Sequence, residues 1–341
     1  STSGNNLDSD DLTCGYDLAG SATTAATAWY KDTAPQMVLY MPMEGGETNG
    51  LKDYSGNDVP ITTGDTPTWS STAGHDGNGA FEFDGNDVLD AGDNFPTSSS
   101  YTKTAWVKKT ADDSWENIIS GTNYEHLLLA NNGVLKCGHN ELISLEDTVP
   151  LTNGEWYHVA VTFDYDSGEL ILYKNGSPVA DKIVDAVAKD MIDSQLYIGR
   201  FGKDGKSWRG AIDDARVYAH VLSPEQIAAM YNGGSGNNNE IVSQETAAGE
   251  DWQCEVTPFS DSQMSTTQAS NPLTLAAVPT VENQDLTSTS GNNLDSEDLT
   301  CGNDLAGSAT TAATAWYKDT APQKVLYMPM EGGETNGLKD Y

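Results

Sequence analysis

The sequence predicts an all-β protein made of antiparallel sandwiches, and three observations predict it. Short runs that alternate apolar and polar residues recur through residues 38–233, separated by Gly, Asn, Asp and Thr. Long amphipathic helical patterns are scarce. Two segments bearing cysteine and tryptophan flank this middle region, one on each side. A chain of 341 residues accommodates about two domains at roughly 150 residues each. Its 37% hydrophobic content, with 8 Trp and 15 Tyr, is enough to fill packed cores and excludes a disordered chain.

The strands follow in order. Val38–Met43 opens the series, then Ala80–Gly85 and Thr102–Val107. Glu155–Asp164 alternates with period two, so Tyr157, Val159, Val161 and Phe163 form an apolar set facing a core, while Trp156, His158, Ala160 and Thr162 face the other way. Leu170–Lys174 runs into Asn175-Gly176, a pair that tolerates the positive φ angles of a tight hairpin, and places Val179 on the return strand. Leu196–Arg200 and Gly210–Tyr218 close the series. One short helix follows, with Ser223 as N-cap, Pro224 in its first position and Glu225 in its first turn. It is expected to reach about Tyr231 and stop at Gly233-Gly234.

Several of these stretches carry a resemblance. They are Asp53-x-Ser55-Gly56-Asn57, Phe83-Asp84-Gly85, Trp156–Val161, Leu172-Tyr173-x-Asn175-Gly176, Leu196–Gly199, and Ile212-Asp213-Asp214-x-Arg216-x-Tyr218 before Leu222-Ser223-x-Glu225-x-Ile227. Together, over about 195 residues, they resemble the laminin-G-like, concanavalin A-like jelly roll. That resemblance implies two stacked antiparallel sheets, a binding or spacer role, and a structural Ca²⁺ near the sandwich edge.

The flanks carry a second resemblance. Cys14 and Trp29 lie on one side, and Asp251-Trp252-Gln253-Cys254-Glu255-Val256-Thr257-Pro258 on the other. A Cys–Trp–Cys order is the cue for an immunoglobulin-like β-sandwich, and the two segments resemble the halves of bacterial surface immunoglobulin-like repeats. The halves are about 220 residues apart. On this resemblance the jelly roll is inserted into a loop of the immunoglobulin-like domain, which pairs Cys14 with Cys254 and Cys301 with a cysteine of a following repeat. The alternative joins the second half to the contiguous segment after it and pairs Cys254 with Cys301. Cys137 lies on a predicted strand, either as a buried free thiol or in an intermolecular bridge.

Residues 1–54 recur at 288–341, differing only at Asp10/Glu297, Tyr16/Asn303 and Met37/Lys324. Identity this high implies tandem copies continuing beyond both ends. The expected organisation is 1–35 as the first immunoglobulin-like half, 36–234 as the jelly roll, 235–286 as the second half, and 287–341 as the start of the next copy.

The net charge of −34 repels phosphate backbones and argues against nucleic acid as a partner. No run of about 20 apolar residues is available to span a membrane. The acidic residues suit either solvation or a hard cation, chiefly Ca²⁺. The candidate metal ligands are Asp53, Asn57, Asp84, Asp87, Asp213 and Asp214, all near strand ends and turns, where Asp and Asn also serve to cap turns. Asp213 leads this set, followed by Asp84 and Asp53. A laminarinase-type glycosidase would carry Glu-x-Asp-x-x-Glu on one strand. Here Glu82-Phe83-Asp84 is followed by Asp87 where the second glutamate belongs, so no catalytic residue is assigned. Trp69, Trp115 and Trp208 lie in predicted loops, where they either stack on sugar or cover a sandwich end. Asn175-Gly176-Ser177 is also a glycosylation sequon.

These readings add up to a structural module of a large extracellular or cell-surface protein or filament, with neighbouring copies of itself as partners. A glycan- or protein-binding adhesin is the alternative, and a hydrolase comes last.

Overall fold

The computed structural model describes residues 1–140, 143–179, 190–202, 206–232, 239–288 and 299–306, with 309, 312, 314, 317–318 and 321–322. The expected helix stop at Gly233-Gly234 and most of the second copy lie outside these residues.

Two layers form the large sandwich. One is a sheet of eight strands. Its order runs Ser177–Pro178, Glu169–Lys174, Trp156–Asp164, Tyr101–Lys109, Arg209–Tyr218, Ala80–Asp84, Thr68–Ser70, with Leu39–Met41 also paired to Arg209–Tyr218. Opposite it lie two four-stranded sheets: Glu116–Asn117, His126–Asn131, Val134–His139 and Ile143–Glu146 in one, Ile119–Ser120, Tyr197–Ile198, Leu89–Asp90 and Thr62–Thr63 in the other. Every described pairing between these strands is antiparallel. The core between the layers contains Val159, Val161 and Phe163, as the alternation predicts, with Phe81, Val107, Leu128, Leu172, Ile198 and Trp208.

The turn chemistry acts as its residues dictate. Asn175 and Gly176 adopt φ of 51° and 75°, and the hairpin register Lys174↔Ser177 follows. Val179 then donates its N–H to the Leu172 carbonyl at 3.0 Å. The helix Pro224–Asn232 starts where predicted, with Ser223 Oγ accepting the Gln226 N–H at 3.1 Å.

The outer face of Trp156–Asp164 is not open to solvent. His158 and Thr162 are each only 2% exposed and Ala160 is fully buried. The reason is a second core on that side, where Ala160, Tyr173 and Tyr218 pack against Ile227 and Met230 of the helix and against Ala26, Ala28 and Phe259. Those last three belong to a smaller β unit.

The smaller unit is drawn from both flanks of the sandwich. Thr24–Lys31 pairs with Asp251–Ser260 through eight residues, from Thr24↔Phe259 to Lys31↔Trp252. Leu12–Thr13 pairs separately with Glu240–Ile241. A Cys14–Cys254 disulfide joins these two sheets across 240 positions. Trp29, the register partner of Cys254, meets Trp252 edge-on at 6.2 Å, and Leu12 and Leu275 complete the small core. Cys301 carries no disulfide, and Cys137 is a buried free thiol whose ionisation burial pushes up to about 12.

One buried group opposes this packing. Glu116 is fully buried. Burial raises its pKa from 4.5 to about 7, against the opposing pull of Lys109. An acid that ionises more readily when unfolded loses folding stability as pH rises from about 4.5 through 7. Glu116→Gln is therefore expected to melt like the parent near pH 4 and above it at pH 8, which thermal melts at the two pH values check.

Candidate functional site: an acidic pocket at the bulge

Arg209–Tyr218 is interrupted by a bulge between Asp213 and Arg216, where the register against Tyr101–Lys109 shifts. Asp214 there has φ 52°, a left-handed backbone that Asp tolerates better than most residues. The bulge sends the two neighbouring carboxylates to different partners. Asp214 takes the Arg216 guanidinium at 2.8 and 3.0 Å. Asp213, 1% exposed, accepts the His75 N–H at 3.1 Å and lies 2.7 Å from His75 Nδ1.

His75 belongs to the loop that enters Ala80–Asp84. Ligand atoms of His75, Asp76 and Asp213 all lie within 4.8 Å of one another. Glu44 lines the same pocket with Asp214, Tyr40 and Pro42, and its Oε2 accepts the Gly79 N–H at 3.0 Å. The electrostatics show a shortage of positive charge. Burial first, then Asp213 and Asp76, push Glu44 up to about 9. Burial, with Asp214 and Asp76 adding to it and His75 opposing, raises Asp213 to about 6. Burial lowers the His75 pKa, but the hydrogen bond to Asp213 and the surrounding carboxylates outweigh it, so the imidazole is held toward its protonated form. His75, Asp76 and Asp213 offer one nitrogen and two carboxylate donors within reach of a single cation, whose charge would relieve this crowding.

The six predicted ligands fall in three separate places. Asp53 spends its carboxylate on its own loop, accepting N–H groups of Tyr40, Ser55 and Val59 at 2.9–3.0 Å and the Ser55 hydroxyl at 2.8 Å. Asn57 anchors the same loop by donating to the Met37 carbonyl at 2.7 Å. Asp84 accepts the Asn86 N–H, and Asp87 accepts the Asp84 N–H at 2.7 Å, so these two organise a turn. Only Asp213 and Asp214 line the acidic pocket, while Glu44, His75 and Asp76 were missed. A visible signal existed for two of them: His75-Asp76 sit inside the glycine-rich run Gly74–Gly79 directly before a core strand.

The three loop tryptophans separate too. Trp208 is fully buried, with Nε1 donating to the Ala211 carbonyl at 3.2 Å, so the expected loop residue is a core residue. Trp69 is partly buried and donates to the Met43 carbonyl at 2.8 Å. Trp115 is partly buried against Leu127, Leu129 and Phe201, beside Tyr124, which is 38% exposed and stacks on Phe201 at 4.6 Å. Lys206 Nζ lies 5.0 Å from both the Trp115 and Tyr124 rings.

Two packed layers of antiparallel strands define a jelly-roll class of domain. Residues 83–228 match the family described as Concanavalin A-like lectin/glucanases superfamily, Laminin_G_3. Among solved structures, it is similar to domain 4 of AbnA, a GH43 extracellular arabinanase from Geobacillus stearothermophilus in complex with arabinotriose. The identity there is 18%, over 57% of this chain and 98% of that chain, with a TM-score of 0.47. It is also similar to the botulinum neurotoxin serotype G binding domain, at 14% identity over 57% of this chain and 50% of that chain, with a TM-score of 0.46. This chain thus spans about half the length of that neurotoxin domain. A SAP-like pentraxin from Limulus polyphemus matches at 19% identity over 40% of this chain and 71% of that chain, with a TM-score of 0.35. No curated protein sequence matches the chain.

Proposed function

We propose that this chain is a structural repeat module of a large extracellular or cell-surface protein or filament. In this reading an immunoglobulin-like clasp, made from residues 1–35 and 235–286, holds the jelly roll of 36–234, and 287–341 begin the next copy. The observation that carries the reading is the Cys14–Cys254 bond, which encloses the sandwich in one covalent loop of 240 positions. Tension along a tandem array then passes through the disulfide and bypasses the sandwich. The recurrence of residues 1–54 at 288–341 supports the array. A disulfide is at home in an oxidising compartment, and no described helix is long and apolar enough to cross a membrane. Small-angle scattering of a two-copy protein tests the arrangement. A maximum dimension close to twice that of one copy is expected; a compact two-copy particle contradicts it.

Within this module Asp213 and Asp76 hold a Ca²⁺ ion that stiffens the bulge, and His75 orients Asp213. A ligand at 100 times its Kd stabilises a fold by about 2.7 kcal/mol. At about 2–4 °C per kcal/mol for a domain of this size, calcium is expected to raise the melting temperature of chelator-stripped protein by several degrees, and Asp213→Asn to abolish the gain. Equal melting with and without calcium removes the ion from the account.

The half-buried Trp115 and Lys206 beside the exposed Tyr124 favour a second reading, a glycan-binding adhesin module, because an aromatic ring and a cation side by side suit stacking on a polar ligand. A glycan array decides between the two. A signal lost in Trp115→Ala favours the adhesin, and no signal favours the spacer.

A further inference from the structure

The two copies of one sequence stand in different surroundings, and the difference identifies a missing strand. In the second copy, Leu299–Ala306 pairs antiparallel with Thr280–Ser288, from Ser288↔Leu299 and Leu286↔Cys301 to Val281↔Leu305 and Thr280↔Ala306. Leu299–Ala306 is Leu12–Ala19 over again, with Asn303 in place of Tyr16. In the first copy, Leu12–Thr13 pairs on one edge with Glu240–Ile241, and the Cys14 N–H continues that ladder to the Asn239 carbonyl at 2.7 Å. Among the described residues nothing pairs with the backbone of Gly15 or Asp17, whose groups point to the opposite edge.

The opposite edge nevertheless shows the closed end of the same hairpin. The Thr2 N–H donates to the Asp11 carbonyl at 3.0 Å. Shifted by the repeat offset of 287, the pair Ser288↔Leu299 becomes Ser1↔Leu12, and Thr2 opposite Asp11 is the next step on that ladder. The first copy therefore holds the turn of the hairpin and one of its strands. Where the other strand would run, a groove of ≈ 800 Å³ lies between Cys14–Ala22 and the facing sheet at Val256, Phe259, Met264 and Gln268. Leu18 and Met264, 38% and 43% exposed, stand on its walls.

We infer that strand Thr280–Ser288 of one copy completes the small β unit of the next, pairing with the free edge of Leu12–Ala19 and covering this groove. The structural unit thus begins near residue 280, and a β-ladder crosses every junction between copies. The inference rests on the tandem arrangement proposed above. It fixes the occupant as a second copy of this chain and the register as Val281 opposite Leu18.

Disulfide trapping tests it. The full chain carries Leu18→Cys and Cys301→Ser, and the probe is a synthetic peptide of residues 278–290 with either Val281→Cys or Asn283→Cys. In a glutathione buffer the in-register peptide is expected to form ~10-fold more adduct than the off-register one, because a ladder fixes which residues face each other. Gly15→Pro should abolish the preference by removing the edge N–H. A Cβ at Gly15 meets nothing within 4 Å, and an unchanged melting curve of the variant verifies that its fold is kept. Equal trapping of the two peptides, or a preference that survives Gly15→Pro, overturns the inference. A compact two-copy particle with in-register trapping would instead sink the spacer reading and leave the pairing standing.

Discussion

Replacing Cys14 and Cys254 together with alanine is expected to destabilise the protein by about 2–5 kcal/mol, the range for losing a native bridge that closes a long loop. The bond spans 240 positions, so its removal frees a large part of the unfolded chain's entropy. The small unit's own core is slight, Leu12, Trp29, Trp252 and Leu275 around the disulfide. Melting should therefore split, with the small unit opening first while the sandwich persists. Tryptophan fluorescence follows the first step through Trp29 and Trp252, and circular dichroism follows the second. A single transition at the parent temperature would show that packing against the sandwich, through Ala26, Ala28 and Phe259, suffices without the bond.

The second large effect is expected at Arg216. Its side chain is 3% exposed, ion-paired to Asp214, and its guanidinium lies 4.3 Å from the centre of the Tyr40 ring. Asp214 and the nearby tyrosines Tyr40 and Tyr218 outweigh burial and hold the guanidinium firmly protonated. Arg216→Met takes the guanidinium away from the buried Asp214 carboxylate, and removing one partner of such a pair costs about 3–5 kcal/mol. Adding Asp214→Asn should restore most of the loss, because the amide is neutral and tolerates the same left-handed backbone. Chemical denaturation of the single and double variants measures the coupling. Additive losses would mean that the pair contributes nothing as a pair.

Local signals are legible in the sequence, and of the long-range ones the Cys14–Cys254 pairing was legible through the immunoglobulin-like resemblance while the pocket contacts were not. The alternation in Trp156–Asp164, the Asn175-Gly176 turn and the Ser223 cap each act within a few residues, so each was visible. The acidic pocket was visible only through Asp213 and Asp214. Glu44 reaches Asp213 across 169 positions (213 − 44), and only the folded sheet brings the loop at His75 between them. Asp53 and Asp84 show the converse, since an aspartate that caps its own turn has the same sequence signature as one that binds an ion. Burial of His158 and Thr162 was illegible for a related reason. Alternation tells which residues share a face, but not that a helix and a second sheet will cover the polar one.

The most direct test of the clasped spacer is single-molecule pulling between residues 1 and 287 under oxidising and reducing conditions. With the bond intact, only the residues outside it can extend, 287 − 240 = 47, so the gain on unfolding is at most about 160 Å at roughly 3.3–3.6 Å per residue. With the bond reduced, the whole repeat should extend, at most about 1,000 Å on the same scale. Short steps that lengthen on reduction are the predicted result. Long steps under oxidising conditions would show that force reaches the sandwich despite the disulfide, and would contradict the account.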